Sequence, residues 1–423
     1  MLNRIKNTLN TLGIAHWRIN ETKEESAELF FVRKALDMRR IKDVCKYSVT
    51  VYRDGEGEKP TRGATSVTLL DSMSDEVLTD KLKGAYFAAQ FAANPYYDLP
   101  DPVSAPPICK TGTLAESPLT ESAWKMAEAL FAPDIREDAF INSAEIFVTR
   151  LSRRILSSCG TDVSYTDAKA DGEFVVQCPA PEDVEMHHTF SYGELETEAL
   201  SAKVAEALSF VCDRAHAQRT LKSGNYDVIL SGNNVPTVLS YYVSRSSASM
   251  LYSRYSSWQV GDNVQGGEAS GESLDMTLCA TVPYDGEGIP MEDLHLLEGG
   301  TLKAVHGPNR FCRYLGVKPT GSYSKVICDN GILPFEEMKN SPCLWVVAFS
   351  DFQMDDFSGR FGGEIRLAYL IEEGKVTPVT GGSVNGSLLE SQKDLLFSTD
   401  RYVTSRYEGP YALKLKNISV AGI

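Results

Sequence analysis

Between Asn94 and Pro118 the chain carries prolines at 95, 100, 102, 106, 107 and 118. Proline locks φ and supplies no backbone donor, so this stretch is excluded from helix interiors and central strands. It reads as a linker wrapped on the surface, with strand-rich material on both sides. Before it come HWRIN (16–20), AELFFVRK (27–34), MRRIKDV (38–44), KYSVTVYR (46–53) and GATSVTLL (63–70). In the fourth of these, Tyr47, Val49 and Val51 alternate with Ser48, Thr50 and Tyr52, the period of a half-buried strand. An alanine-rich helix from about Ser74 to Asn94 follows.

The order recurs after the linker: EFVVQC (173–178), EMHHTFSY (185–192), then a helix over Glu196–Ala217 striped by Leu200, Val204, Leu208 and Val211. Ser26-Ala27-Glu28-Leu29-Phe30 is echoed by Ser143-Ala144-Glu145-Ile146-Phe147, and Arg39-Arg40-Ile41 by Arg153-Arg154-Ile155. An internal duplication is expected. From Tyr226 the style changes to a strand (227–230), a helix beginning near Val235, and then strands and glycine turns. We therefore expect an α+β protein. Residues 1–223 would hold duplicated β-meander-plus-helix units and the 94–118 linker, and 224–423 a mostly antiparallel β domain with few helices.

Composition bounds the function. The chain has 423 residues, 43% apolar and 23% charged, in the range of globular proteins. Its net charge of -15 repels phosphate backbones, so nucleic-acid binding is not expected. The most basic stretch, Arg33–Lys46, is diluted by Asp37 and Asp43 and reads as a solvated strand face. At the N-terminus Leu2, Ile5, Leu9 and Leu12 form a helical stripe stopped by Gly13, a docking helix rather than a signal peptide. With no apolar run of membrane-spanning length, no membrane partner is expected. Nine scattered cysteines without a C-x-x-C suit a reducing, cytoplasmic setting.

Chemistry is sparse. His187 and His188 are adjacent on a strand and point to opposite faces, so one metal cannot take both. One surface and one core histidine is the expectation. His295 and His306 flank Glu298-Gly299-Gly300, but no acidic or thiol neighbour completes a site. The Asp285-Gly286 and Asp355-Asp356 segments read as turns; EF-hand spacing is absent, as are the nucleotide-binding glycine motifs and the hydrolase elbow. No cysteine is marked as activated. The helix at Val235–Ser249, VPTVLSYYVSRSSAS, has an apolar stripe of Val235, Val238, Leu239, Tyr242 and Val243. Its other face shows Ser240, Tyr241, Ser244 and Arg245. Asn233 or Asn234 is placed to cap it.

Several C-terminal segments resemble the TldD/PmbA (TldE) family, whose members have been called modulators of DNA gyrase. They are YDGEGIP (284–290), LLEGGTLKAV (296–305), GVKPTGSY (316–323), FGGEIRLAYLIEEGKVTPVTGG (361–382) and LKLKNISVAGI (413–423). The resemblance implies a zinc-bearing TldD-type subunit with a His-Glu-x-x-x-His helix and a later cysteine ligand. Here the motif's place is Ser240–Arg245, with Ser240 and Arg245 at the histidines and Tyr241 at the glutamate. No sliding restores it: no histidine lies between His216 and His295, and no glutamate between Glu206 and Glu268. The last cysteine is Cys343, and the loop expected to supply the thiolate reads YVTSRYEGPY (402–411). The chain thus resembles the TldE/PmbA type, with no catalytic or metal residue of its own. Ser240, Tyr241, Ser244 and Arg245 would face substrate or partner across a cleft. The implied partners are a zinc-bearing TldD-like homologue in a heterodimer and small or unfolded peptides, including maturing ones. A homodimer is a second arrangement. No cofactor is expected here, zinc residing in the partner, and no peptidase activity is expected alone. The alternatives are a regulatory protein-binding factor acting on gyrase, or an independent peptidase with another site.

Overall fold

The computed structural model describes residues 1–423 apart from 56, 268 and 269, so the Glu268 that closes the glutamate-free stretch lies outside the described residues. The architecture is α+β and mostly antiparallel. A helix α1 (Leu2–Thr11) buries Ile5 and Leu9 and stops at Gly13, whose φ of +66° suits a residue without Cβ. Two long strands follow, β1 (His16–Val32) and β2 (Ala35–Gly55), then β3 (Thr61–Leu70). Segments expected as separate strands are therefore fused, because each pairs continuously with its neighbour. Helix α2 (Asp75–Ala89) starts where Ser74 accepts a hydrogen bond from the Val77 N–H (3.3 Å). It ends five residues before Asn94, because β4 (Asn94–Pro95) turns back onto β3. That turn requires Gly63, where a Cβ would lie 1.8 Å from the Ala89 carbonyl oxygen. Gly63→Ala is expected to cost about 2 kcal/mol through this overlap, read as a lowered midpoint in chemical unfolding.

The linker holds one short helix, α3 (Thr113–Glu116), and leads to α4 (Leu119–Phe131). A second meander comprises β5 (Phe140–Ser157), β6 (Asp162–Cys178) and β7 (Val184–Tyr192), capped by α5 (Thr197–Ala215). All seven strands form one sheet in the order β4-β3-β2-β1-β5-β6-β7, so the two meanders meet back to back along β1 and β5. The echoed pentapeptides 26–30 and 143–147 both lie on first strands, β1 and β5, but the Arg-Arg-Ile echo does not follow this arrangement. Arg39-Arg40-Ile41 lies on the second strand of its meander, whereas Arg153-Arg154-Ile155 lies on the first. The equivalent hairpin turns fall at Arg33-Lys34 and Ser158–Gly160.

The remaining chain begins with β8 (Gly224–Ser231), α6 (Asn234–Arg245) and α7 (Ala248–Tyr252). One sheet takes β9 (Met276–Cys279), β10 (Leu294–Glu298), β11 (Thr301–Leu302) and β12 (Lys325–Cys328). These pair in the order β11-β10-β9-β12, with α8 (Asn309–Leu315) between the last two in sequence. The other takes β13 (Cys343–Met354), β14 (Arg360–Glu372), β15 (Lys375–Val379) and β16 (Ser383–Ser387), with β17 (Leu396–Phe397) and, last in the chain, β20 (Ala412–Ala421). Its ladder closes on itself, running β13-β8-β20-β16-β14 and back to β13. Strands β18 (Arg401–Val403) and β19 (Tyr407–Pro410) extend the β12 sheet. The apolar side of α6 fills the space between these two sheets: Val235, Val238, Leu239 and Tyr242 share a cluster with Leu230, Leu278 and Leu413. No helix among the described residues is long and apolar enough to cross a membrane.

Candidate functional site

Gly232, at a φ of +59°, turns the chain from β8 into α6. Asn233 takes the N-cap position, but its side chain does not cap; its Oδ1 accepts from the Tyr402 hydroxyl (2.9 Å). Pro236 sits in the first turn, where its missing N–H costs nothing. Val243, expected in the buried stripe, is only partly covered, while Tyr242 is fully buried and donates to Gln392 Oε1 (3.0 Å).

The other face departs from the expected open cleft. Ser240 and Ser244 are half-buried, and Ser240 Oγ donates to the Thr237 carbonyl (2.8 Å). Tyr241 does not face outward: it is 2% exposed. The reason is tertiary. The chain after α7 folds back so that Trp258 lies 5.8 Å edge-on from the Tyr241 ring and stacks on Tyr242 at 6.2 Å. The Arg245 guanidinium sits 5.9 Å from the Tyr241 ring and 5.8 Å from Trp258 and donates to the Tyr255 carbonyl. The 355–359 turn closes the patch, with Phe357 edge-on to Tyr255 at 5.1 Å. Burial raises the Tyr241 phenol, with Arg245 opposing and Asp356 adding to the shift. Arg245 Nε and Asp356 Oδ1 are buried here without a hydrogen-bond partner. Nothing in the spacing of Trp258 or Tyr255 ties them to the helix, and Asp356, read from sequence as part of a turn, joins the patch only through tertiary structure.

This donor set does not fit zinc, which takes neutral imidazole, thiolate or carboxylate in tetrahedral array. A serine hydroxyl, a buried phenol and a guanidinium occupy the helix positions. Among the described residues no group of three or more His, Cys, Asp or Glu is arranged to hold a metal. The histidine pairs are also apart in role. His306 Nε2 donates to the Val243 carbonyl (2.8 Å), while His295 Nδ1 meets Thr277 Oγ1 (3.2 Å). His187 is exposed and 3.3 Å from Glu173; His188 is half-buried, with Nε2 covered, and stacks on Phe174 at 5.3 Å.

The 402–411 segment meets the start of α6 and the back of α5. Lys203 Nζ donates to the Tyr402 hydroxyl (3.4 Å), and the Tyr411 hydroxyl to Glu206 Oε1 (3.3 Å). Burial lowers the Lys203 ammonium pKa and raises that of the Glu206 carboxyl. Two concave sites lie elsewhere. One of about 400 Å³ is lined by Arg219, Arg366 and the Gly381-Gly382 pair, and one of about 600 Å³ by Arg360, Asn385, Asp394 and Lys416.

Residues 223–422 match the family model described as the PmbA/TldA metallopeptidase C-terminal domain. Over that stretch the chain is similar to the C-terminal domain of the PmbA/TldD family. A metalloprotease TldD homolog from Buchnera aphidicola is 33% identical over 128 residues, which span 26% of this chain and 26% of that protein. Two solved structures share the fold over nearly the whole length. TldE from Thermococcus kodakarensis superposes with a TM-score of 0.79 at 16% identity, covering 99% of this chain and 100% of that one. A proposed modulator of DNA gyrase from Bacteroides thetaiotaomicron gives 0.81 at 17% identity, covering 100% and 99%. At such identities the likeness speaks for the fold alone.

Proposed function

We propose that this chain is the zinc-free subunit of a TldD/TldE-type peptidase, working beside a zinc-bearing homologue that supplies the hydrolytic centre. The observation that carries the reading is α6 itself. At Ser240, Tyr241 and Arg245 it presents no zinc donor set, and Tyr241 is packed under Trp258. Its role is then to complete the chamber and to hold small or unfolded peptides in extended form, for which strand edges are suited.

Two measurements test this. In the first, the chain is co-expressed with a homologue carrying the His-Glu-x-x-x-His helix. The expected result is a stable complex whose peptide turnover exceeds that of the homologue alone. No complex, with equal turnover by the homologue alone, overturns the proposal. In the second, elemental analysis of the purified chain is expected to find zinc well below one per chain; stoichiometric zinc overturns it.

A further inference from the structure

The cavity of about 600 Å³ sits where the closed ladder is interrupted. Strand β20 pairs with β8 from Ala412 to Leu415 and again from Ile418. Between these runs Lys416 and Asn417 stand opposite the single residue Asp227, a β-bulge. Asn417 takes a left-handed φ of +56°, which asparagine adopts more readily than most residues, and its N–H donates to Asp227 Oδ1 (3.3 Å). Both bulged residues line the cavity. Bulges of this kind re-aim side chains and gather near functional sites.

One side of the cavity is a row of neutral polar groups. Ser419 is paired with Asn225 on one strand and Asn385 on the other, so the three side chains share a face of the sheet. Val384 and Val420, their neighbours in sequence, are buried, which puts the row on the face away from the core. Asn385 Nδ2 donates to Ser383 Oγ (3.2 Å), and its carbonyl oxygen is left as an acceptor.

Four charged side chains line the same cavity: Arg360 and Lys416, and Glu390 and Asp394. Among the described residues none of them forms an ion pair, with one another or with any other group. Asp394 has one oxygen engaged, by the Ser270 hydroxyl. Two cations and two carboxylates carry no net charge that would select a simple anion or a simple cation. Left unpaired around one cavity, they suit a molecule that bears both charges.

We propose that this cavity binds a short peptide with both termini free. Its carboxylate is taken by Arg360 or Lys416, its terminal ammonium by Glu390 or Asp394, and its peptide groups by the amides of Asn225 and Asn385. The volume is in the range of small-molecule sites. The amide row favours a peptide over a free amino acid, which has no peptide group to offer. The site belongs to this chain alone, so its test needs no zinc-bearing homologue and stands or falls apart from the peptidase complex.

The probes are Ala-Ala-Ala, its N-acetyl form and its C-terminal amide, with alanine as the single amino acid, each titrated against the full chain by calorimetry. Saturable binding of the free tripeptide is expected, weakened about fivefold or more by blocking either terminus. Arg360→Gln combined with Lys416→Gln is expected to reproduce the effect of the amide and to leave binding of the amide itself unchanged. Glu390→Gln combined with Asp394→Asn is expected to do the same for acetylation. Arg360, Lys416 and Glu390 are exposed, so these variants are expected to fold, which circular dichroism checks. Absence of saturable binding, or alanine binding as tightly as the tripeptide, overturns the proposal. So does a loss on blocking one terminus only, since the cavity then takes a simple anion or cation.

Discussion

Tyr241→Glu is expected to lower the unfolding free energy by about 3 kcal/mol and to bring no zinc with it. The position corresponds by resemblance to the general base of zinc-bearing relatives, so the change restores a catalytic letter. The structure gives it nowhere to act. Tyr241 is 2% exposed, edge-on to both Tyr242 and Trp258. The substitution removes an aromatic ring from a packed cluster and puts a carboxylate in its place, each a costly change in a buried site. Arg245, the nearest cation, offsets part of the loss. In the combination Ser240→His, Tyr241→Glu and Arg245→His that cation is gone as well, and the combination is expected to be less stable still. Denaturant unfolding measures the first effect and elemental analysis the second. A Tyr241→Glu protein with undiminished stability would show that the ring is not packed as described.

Acid is expected to weaken the fold between about pH 6.5 and pH 4, with His188 as a principal cause. Burial, and secondarily the charge of Lys203, lowers its pKa from 6.5 to about 4, and Nε2 has no hydrogen-bond partner. The unfolded chain therefore binds a proton in this window that the folded chain does not. Stability is fully present above pH 6.5 and is lost as pH falls toward the folded value, by roughly 3 kcal/mol at most. His306 is lowered by burial as well and works in the same direction. His188→Phe keeps the stacking on Phe174 and removes the titration. Its unfolding midpoint should fall less between pH 7 and pH 4 than that of the unmodified chain. Parallel midpoint curves for the two proteins would exclude His188 as the cause.

Much of the fold was legible in the chain. Period-2 alternation marked β2 at Tyr47–Tyr52, the Gly13 stop and the Leu2/Ile5/Leu9 stripe marked α1, and prolines marked the linker. These signals are local, resting on φ restriction, side-chain period and capping. Strand fusion was not legible, because whether HWRIN and AELFFVRK are one strand depends on the partners β2 and β5 that run alongside both. The repeated Arg-Arg-Ile misled for the same reason: short identities carry no register, whereas the hairpin turns do.

At α6 the division is sharper. The residue types at Ser240–Arg245 are facts of the sequence: no histidine, glutamate or cysteine stands there, so these positions offer zinc no imidazole, carboxylate or thiolate. Which side of the helix Tyr241 occupies was not decidable there, since a tyrosine suits a wet or a dry face equally. The choice was made by Trp258 and by the 355–359 turn, brought over the helix from far along the chain. The uncovered start of β2 is likewise a product of tertiary structure: its residues look like any solvated strand face, and β3 pairs with β2 only from Lys46 onward. The sequence determined the elements and the residue types at Ser240–Arg245, because these depend on residue identity and short spacing. Tertiary structure alone decided which faces close and which edges stay free, because those depend on contacts between residues distant in the chain.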